Sequence, residues 1–132
     1  MRPFVLIAAL ALGACASPAC PPGLTQGAAL DLYFGRGIDG NPRAVSDAAW
    51  RGFVEEILIR EFPDGSTGFD AEGTWFSRRQ GRTIVERSKM VSLIVPDARA
   101  ADARIERVIA EYKRRFDQDS VLRVERAVCF AF

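Results

Sequence analysis

The chain has 132 residues, 18 Lys and Arg against 17 Asp and Glu, and no histidine. A near-neutral charge with no long basic stripe argues against a nucleic-acid partner. The missing imidazole excludes His-based triads and His metal sites, and removes the usual proton shuttle near neutral pH.

Met1-Arg2-Pro3 lead into an apolar run, Phe4 to Leu12, about half the length a membrane-spanning helix needs. A short cationic start, a brief apolar stretch and small residues after it form the pattern of a secretory signal. The end of the run, Leu12-Gly13-Ala14-Cys15, resembles the bacterial lipobox. That resemblance implies cleavage before Cys15, a diacylglycerol thioether on its sulfur and a fatty acyl group, such as palmitate, on the new amino terminus. Each buried methylene would contribute ~0.8 kcal/mol, so several chains hold a protein on a membrane almost permanently. Ala16 stands where an Asp often retains lipoproteins at the inner membrane, which points to the outer membrane. The expected address is the periplasmic side of the cell envelope.

Three segments follow from this reading: a lipoprotein signal peptide over residues 1–14, the lipidated Cys with a flexible tether over residues 15–27, and one domain over residues 28–132. The tether is rich in Pro, Gly, Ser and Ala. With Cys15 lipidated, Cys20 and Cys129 remain. In an oxidising compartment an even leftover pair predicts a disulfide, against the alternative of two free thiols.

The domain opens with an alternating, aromatic-bearing strand, Ala28 to Arg36. Ser46 can cap a helix that carries Trp50, Phe53, Val54, Ile57 and Leu58 at helical spacing and ends near Glu61, before the turn Phe62 to Gly65. Thr67 to Phe76 and Arg82 to Val95 read as a hairpin. Pro96-Asp97 starts a second helix whose apolar face is Ala98, Ala101, Ile105, Val108, Ile109, Tyr112 and Phe116. Lys113 to Arg115 form its cationic last turn. Ser120 to Phe132 is a final strand. The order β-α-β-β-α-β predicts an α+β domain of ferredoxin-like type, a four-stranded antiparallel sheet with two helices on one face and the first and third strands in the centre.

Charge fixes a hairpin register. Pairing Phe76 with Thr83 sets Glu72 opposite Arg87 and Asp70 opposite Lys89, which is favourable across a ladder. Placing those charges on the open face puts Val91, Leu93 and Val95 there too, joined by Val121. That makes an apolar patch suited to a partner: a second copy of the chain, another envelope protein, a small apolar ligand or the Cys20 tether folding back. Glu86 then points to the helix face, where a carboxylate must find a partner. The charged run is either a solvated ion-pair patch or a polar site, for which Tyr33, Arg36, Glu86, Ser88 and Lys89 are the candidates. Trp50 and Trp75 read as core.

Gly35 to Gly40 match G-x-G-x-x-G, but Pro42 intervenes and no helix opens at once, so the segment reads as a loop rather than a dinucleotide site. The cysteines lack zinc spacing, and the scattered carboxylates form no metal loop. Ser88 and Lys89 point to opposite faces of one strand and cannot act as a direct Ser-Lys pair. No catalytic residue, metal or cofactor is assigned.

Leu32 to Arg36, Trp50, Phe62 to Gly65, Trp75, Glu86 to Lys89 and Ser120 to Val124 occur in an order that resembles a family of short bacterial lipoproteins, domain of unknown function 3574. The resemblance implies that Arg36, Trp75, Glu86, Ser88 and Lys89 belong to a shared pattern and implies no activity. Three functions stay open: a lipid-anchored binding or interaction module using the open sheet face, a cofactor-independent enzyme of the dimeric ferredoxin-like type with Tyr33, Glu86 and Lys89 as its polar groups, and a structural envelope protein.

Mass spectrometry of the protein from bacterial envelopes is expected to find the thioether-linked lipid on Cys15. Cys15→Ala should lose both the lipid and the membrane fraction; an uncleaved precursor in the cytosol would defeat the assignment.

Overall fold

The computed structural model describes residues 19–37, 44–78 and 80–132. Cys15 and the second half of the G-x-G-x-x-G segment, residues 38–40, lie outside the described residues. The chain forms β1 (Thr25–Gly35), a continuous helical rod made of α1 (Asp47–Phe53), a π-helical stretch (Val54–Leu58) and α2 (Ile59–Glu61), then β2 (Thr67–Ser77), β3 (Arg82–Val95), α3 (Ala98–Phe116) and β4 (Leu122–Phe130). The strands make one antiparallel sheet in the order β2-β3-β1-β4, so the first and third strands are central. Thr25, Gln26 and Gly27, read above as the end of the tether, instead pair with Phe130, Cys129 and Val128 and extend β1.

Both helices start where short polar side chains can take up free backbone amides. Ser46 Oγ accepts from Ala49 N at 3.1 Å, and Asp97 Oδ1 accepts from Arg99 N and Ala100 N. The second helix ends on Asp117 in the left-handed conformation, with Lys113, Arg114 and Arg115 in its last turn. The two helices are tied on their outer side by Arg107, which forks onto Glu61 at 3.1 and 2.7 Å. This hydrogen bond holds the Glu61 carboxyl below its usual range.

The core lies between the helices and one face of the sheet. Its centre is a ring cluster of Phe34, Trp50, Phe53 and Tyr112, with neighbouring centroids 4.7 to 6.0 Å apart. Leu30, Leu32 and Phe34 of β1 enter it beside Val91, Leu93 and Val95 of β3, paired as Leu30 with Leu93 and Leu32 with Val91.

This corrects the expected interaction face. Val91, Leu93 and Val95 are 1, 1 and 3% exposed, within the core, and Val121 packs against it. The hairpin register is the expected one, with Phe76 opposite Thr83, Glu72 opposite Arg87 and Asp70 opposite Lys89. The assignment of faces is reversed. The hairpin is longer than the helices' cover, so Asp70 and Arg87 reach water on the same side of the sheet that buries Val91. Charge marked solvent there, not the open face. The open face instead carries Phe69, Met90, Ile94, Leu122 and Trp75; Trp75, expected in the core, is 51% exposed.

Cys20 and Cys129 are bonded, with Cα atoms 5.6 Å apart. The bridge clamps the segment before β1 to the end of β4 and closes a loop with a sequence separation of 109. In the chain-entropy account such a loop is worth about 4 to 5 kcal/mol. Replacing both cysteines by serine is expected to lower unfolding stability by about 2 to 5 kcal/mol in urea titrations, with the fold kept. No loss of stability would show that sheet pairing alone holds the end of β1.

Candidate functional site

A strand sends successive side chains to opposite faces, so the five candidate polar residues separate into two groups. Tyr33, Glu86 and Ser88 lie on the open face; Arg36 and Lys89 lie on the other.

The open face is hollowed where its residues are small. Gly73 pairs with Glu86, and both Ala71 and Gly35 pair with Ser88. Around this low floor stand large side chains: Trp75 paired with Ile84 at one end, and Tyr33 beside Leu122 at the other. The result is a cavity of about 620 Å³ lined by Tyr33, Trp75, Ile84, Glu86, Ser88 and the Gln118–Asp119–Ser120 segment, among others. Its size lies in the range of small-molecule sites.

Gly35 and Gly37 are required by this geometry. A Cβ on Gly35 would come 2.7 Å from Glu86 Oε1, and Gly37 holds φ at 80°, a conformation side chains other than hydrogen disfavour. Glu86 Oε1 accepts from Gly37 N at 2.7 Å. From the helix side the hydroxyl of Tyr112 donates to the carbonyl of Gly35 at 2.8 Å; burial pushes that hydroxyl's pKa up. The end of β1 is therefore gripped from both faces of the sheet. Glu86 is half-buried and has found a partner, but on the open face rather than the helix face expected from the sequence.

Arg36 is 3% exposed and structural. Its Nε and Nη2 donate to the carbonyl of Val45 at 2.8 and 2.6 Å, and Nη1 lies 2.8 Å from Asp47 Oδ1 in the first turn of α1. It locks the helix start to the strand end. Lys89 forms an ion pair with Asp70, whose carboxyl is held below its usual range by that hydrogen bond. Neither lines the cavity.

Asp31 lies on the same face as Tyr33, two positions earlier on β1. Asp31, 3% exposed, takes Arg126 Nη2 on Oδ2 at 2.6 Å, while Oδ1 has no donor among the described residues. The alternation in "ALDLYF" marked it as facing away from Leu30 and Leu32, but nothing local marks its burial. A second depression, about 370 Å³ between the helices, is lined by Glu56, Arg60, Glu61, Arg107, Glu111 and Arg114. Its ion pairs bind one helix to the other or a helix to itself, which makes it a packing seam.

The molecule is thus an α+β protein with a one-sided sheet and a polar cavity on the uncovered face. It belongs to the family described as "Protein of unknown function (DUF3574)", whose model matches residues 29–132. No curated protein matches the sequence. Among solved structures it is similar to a phage SAM lyase in the apo state, at a TM-score of 0.58 and 14% identity over 88% of this chain and 97% of that one. It is also similar to a phage SAM lyase in complex with S-methyl-5'-thioadenosine, at a TM-score of 0.57 and 14% identity over 80% and 90%. At such identity the likeness concerns the fold.

Gly35→Ala is expected to push the Glu86 carboxylate off the Gly37 amide and to cost about 1 to 2 kcal/mol, the scale of a charged hydrogen bond. In a Glu86→Ala background the same change should cost less than half as much, because the displaced group is gone. Equal costs in both backgrounds, measured by chemical denaturation, would show that Glu86 does not set the need for glycine.

Proposed function

We propose that this chain is a lipid-anchored protein of the bacterial cell envelope, tethered through Cys15 on the periplasmic side and working as a binding module through the open face of its sheet. The observation that carries the binding role is the cavity. Tyr33, Glu86 and Ser88 converge on it beside an exposed indole, on the face that no helix covers. A surface needed only for stability has no reason to keep Trp75 half in water next to a carboxylate. The lipobox at Leu12 to Cys15 supports the anchor, and the Cys20–Cys129 bridge suits an oxidising compartment. The chain order β-α-β-β-α-β, with β1 and β3 central, supports a ferredoxin-like assignment.

A second reading is a cofactor-independent enzyme. The same cavity groups, two hydroxyls and a carboxylate, motivate it, together with the similar fold of phage SAM lyases, one of them holding S-methyl-5'-thioadenosine. Of the three polar groups expected for such an enzyme, Tyr33 and Glu86 line the cavity, whereas Lys89 faces the other side of the sheet and is left out.

The test is native mass spectrometry of the protein released gently from envelopes. The wild type is expected to carry a noncovalent small molecule. Ser88→Trp, which fills the cavity floor, should lose it, and Arg60→Glu on the outer helix surface should keep it. Retention by Ser88→Trp, or an empty wild type, would overturn the binding role. A ligand that leaves chemically altered after incubation would favour the enzyme.

A further inference from the structure

We infer that the open-face cavity is a site for a small organic cation, its positive centre held over Glu86 and its apolar part against Trp75. This rests on the reading of the open face as the binding surface and adds the charge class of the ligand.

The lining is asymmetric in charge. Glu86 stands on the floor and Asp119 at the rim, and none of the described lining residues is a lysine or arginine. Two described arginines stand near the cavity on this face. Arg126 is paired with Asp31, and Arg82 donates to Gln80 Oε1 at 3.0 Å. Glu86 spends one oxygen on the Gly37 amide, a neutral donor that leaves its charge uncompensated. A carboxylate offers about four lone-pair directions, so acceptor capacity remains towards the cavity. An anionic ligand would meet two carboxylates and is disfavoured. A purely apolar ligand would strip water from Glu86, Ser88 and Tyr33 without replacing it.

Aromatic surface supplies the second half of the recognition. Trp75 is 51% exposed and walls the cavity at the Ile84 end, with Tyr33 at the far end. Indole and phenol faces attract cations whose hydration is weak, as in sites for quaternary ammonium groups. Carboxylate below and indole beside define an ammonium or sulfonium centre bearing alkyl or planar substituents. Among the described residues no group of three or more carboxylates gathers here to hold a compact, strongly hydrated metal ion.

The inference is tested by titrating the mature lipidated protein in neutral detergent with benzyltrimethylammonium, benzyl alcohol and phenylmethanesulfonate, following the amide resonances of Gly37 and Ser88. The cation is expected to bind about tenfold more tightly than the alcohol, and the sulfonate to leave both resonances in place. Glu86→Gln keeps an oxygen for the Gly37 amide and should abolish the tenfold preference. Trp75→Leu should weaken the cation more than the alcohol, and Lys89→Met on the opposite face should change nothing. Equal binding of cation and alcohol, or preferred binding of the sulfonate, would overturn the cation class while leaving a binding cavity. Unmoved resonances with all three probes would overturn the cavity as a binding site as well.

Discussion

Pairing of β1 with β3 through Leu30–Leu93 and Leu32–Val91 decides what every other part of the molecule can do. These four side chains, with Ala28, Phe34 and Val95, are the strands' part of the buried core. Because strands alternate, their burial against the helices sends Asp31, Tyr33 and Gly35 of β1, and Glu86, Ser88 and Met90 of β3, to the uncovered face. The aromatic cluster around Tyr112 holds the helices on their side. The cavity is what the other side becomes where Gly35, Gly37 and Ser88 take up little room while Trp75, Tyr33 and Leu122 stand around them.

The two faces communicate at the end of β1. Tyr112 reaches through from α3 to the carbonyl of Gly35, and Glu86 reaches over the same glycine to the amide of Gly37. One residue further on, Arg36 turns back beneath the helix and fastens Val45 and Asp47. Three consecutive residues therefore serve the core, the helix start and the cavity.

Much of this order was legible in the chain. The cap at Ser46, the helix start at Pro96-Asp97, the apolar stripe of the second helix and the turn at Phe62 to Gly65 all follow from local chemistry. So did the hairpin register, because Asp70–Lys89 and Glu72–Arg87 had to meet. The faces were not legible from the hairpin alone. "KMVSLIV" is apolar on both parities, and its charged neighbours invite the inference that charge marks the open side. The reversal comes from a length mismatch, since β3 outruns the helices and the same face is wet at one end and dry at the other. β1 held the answer. Leu30, Leu32 and Phe34 outweigh Ala29, Asp31 and Tyr33 as core formers, and through the β1–β3 pairing they fix the parity of β3. The commitment of Arg36 was hidden because its partners belong to a backbone carbonyl and a helix start nine and eleven positions away.

The cavity also explains why polar residues are tolerated in the middle of a sheet. Facing the helices, Glu86 would lose water and require a charged partner or a proton. On the open face it gains one backbone amide and keeps solvent, and its cost is small until something displaces that water. A binding site with this lining would be selective. An occupant that dries the cavity must replace what water gave to a carboxylate and two hydroxyls, and a positive centre beside an indole does so with the fewest groups.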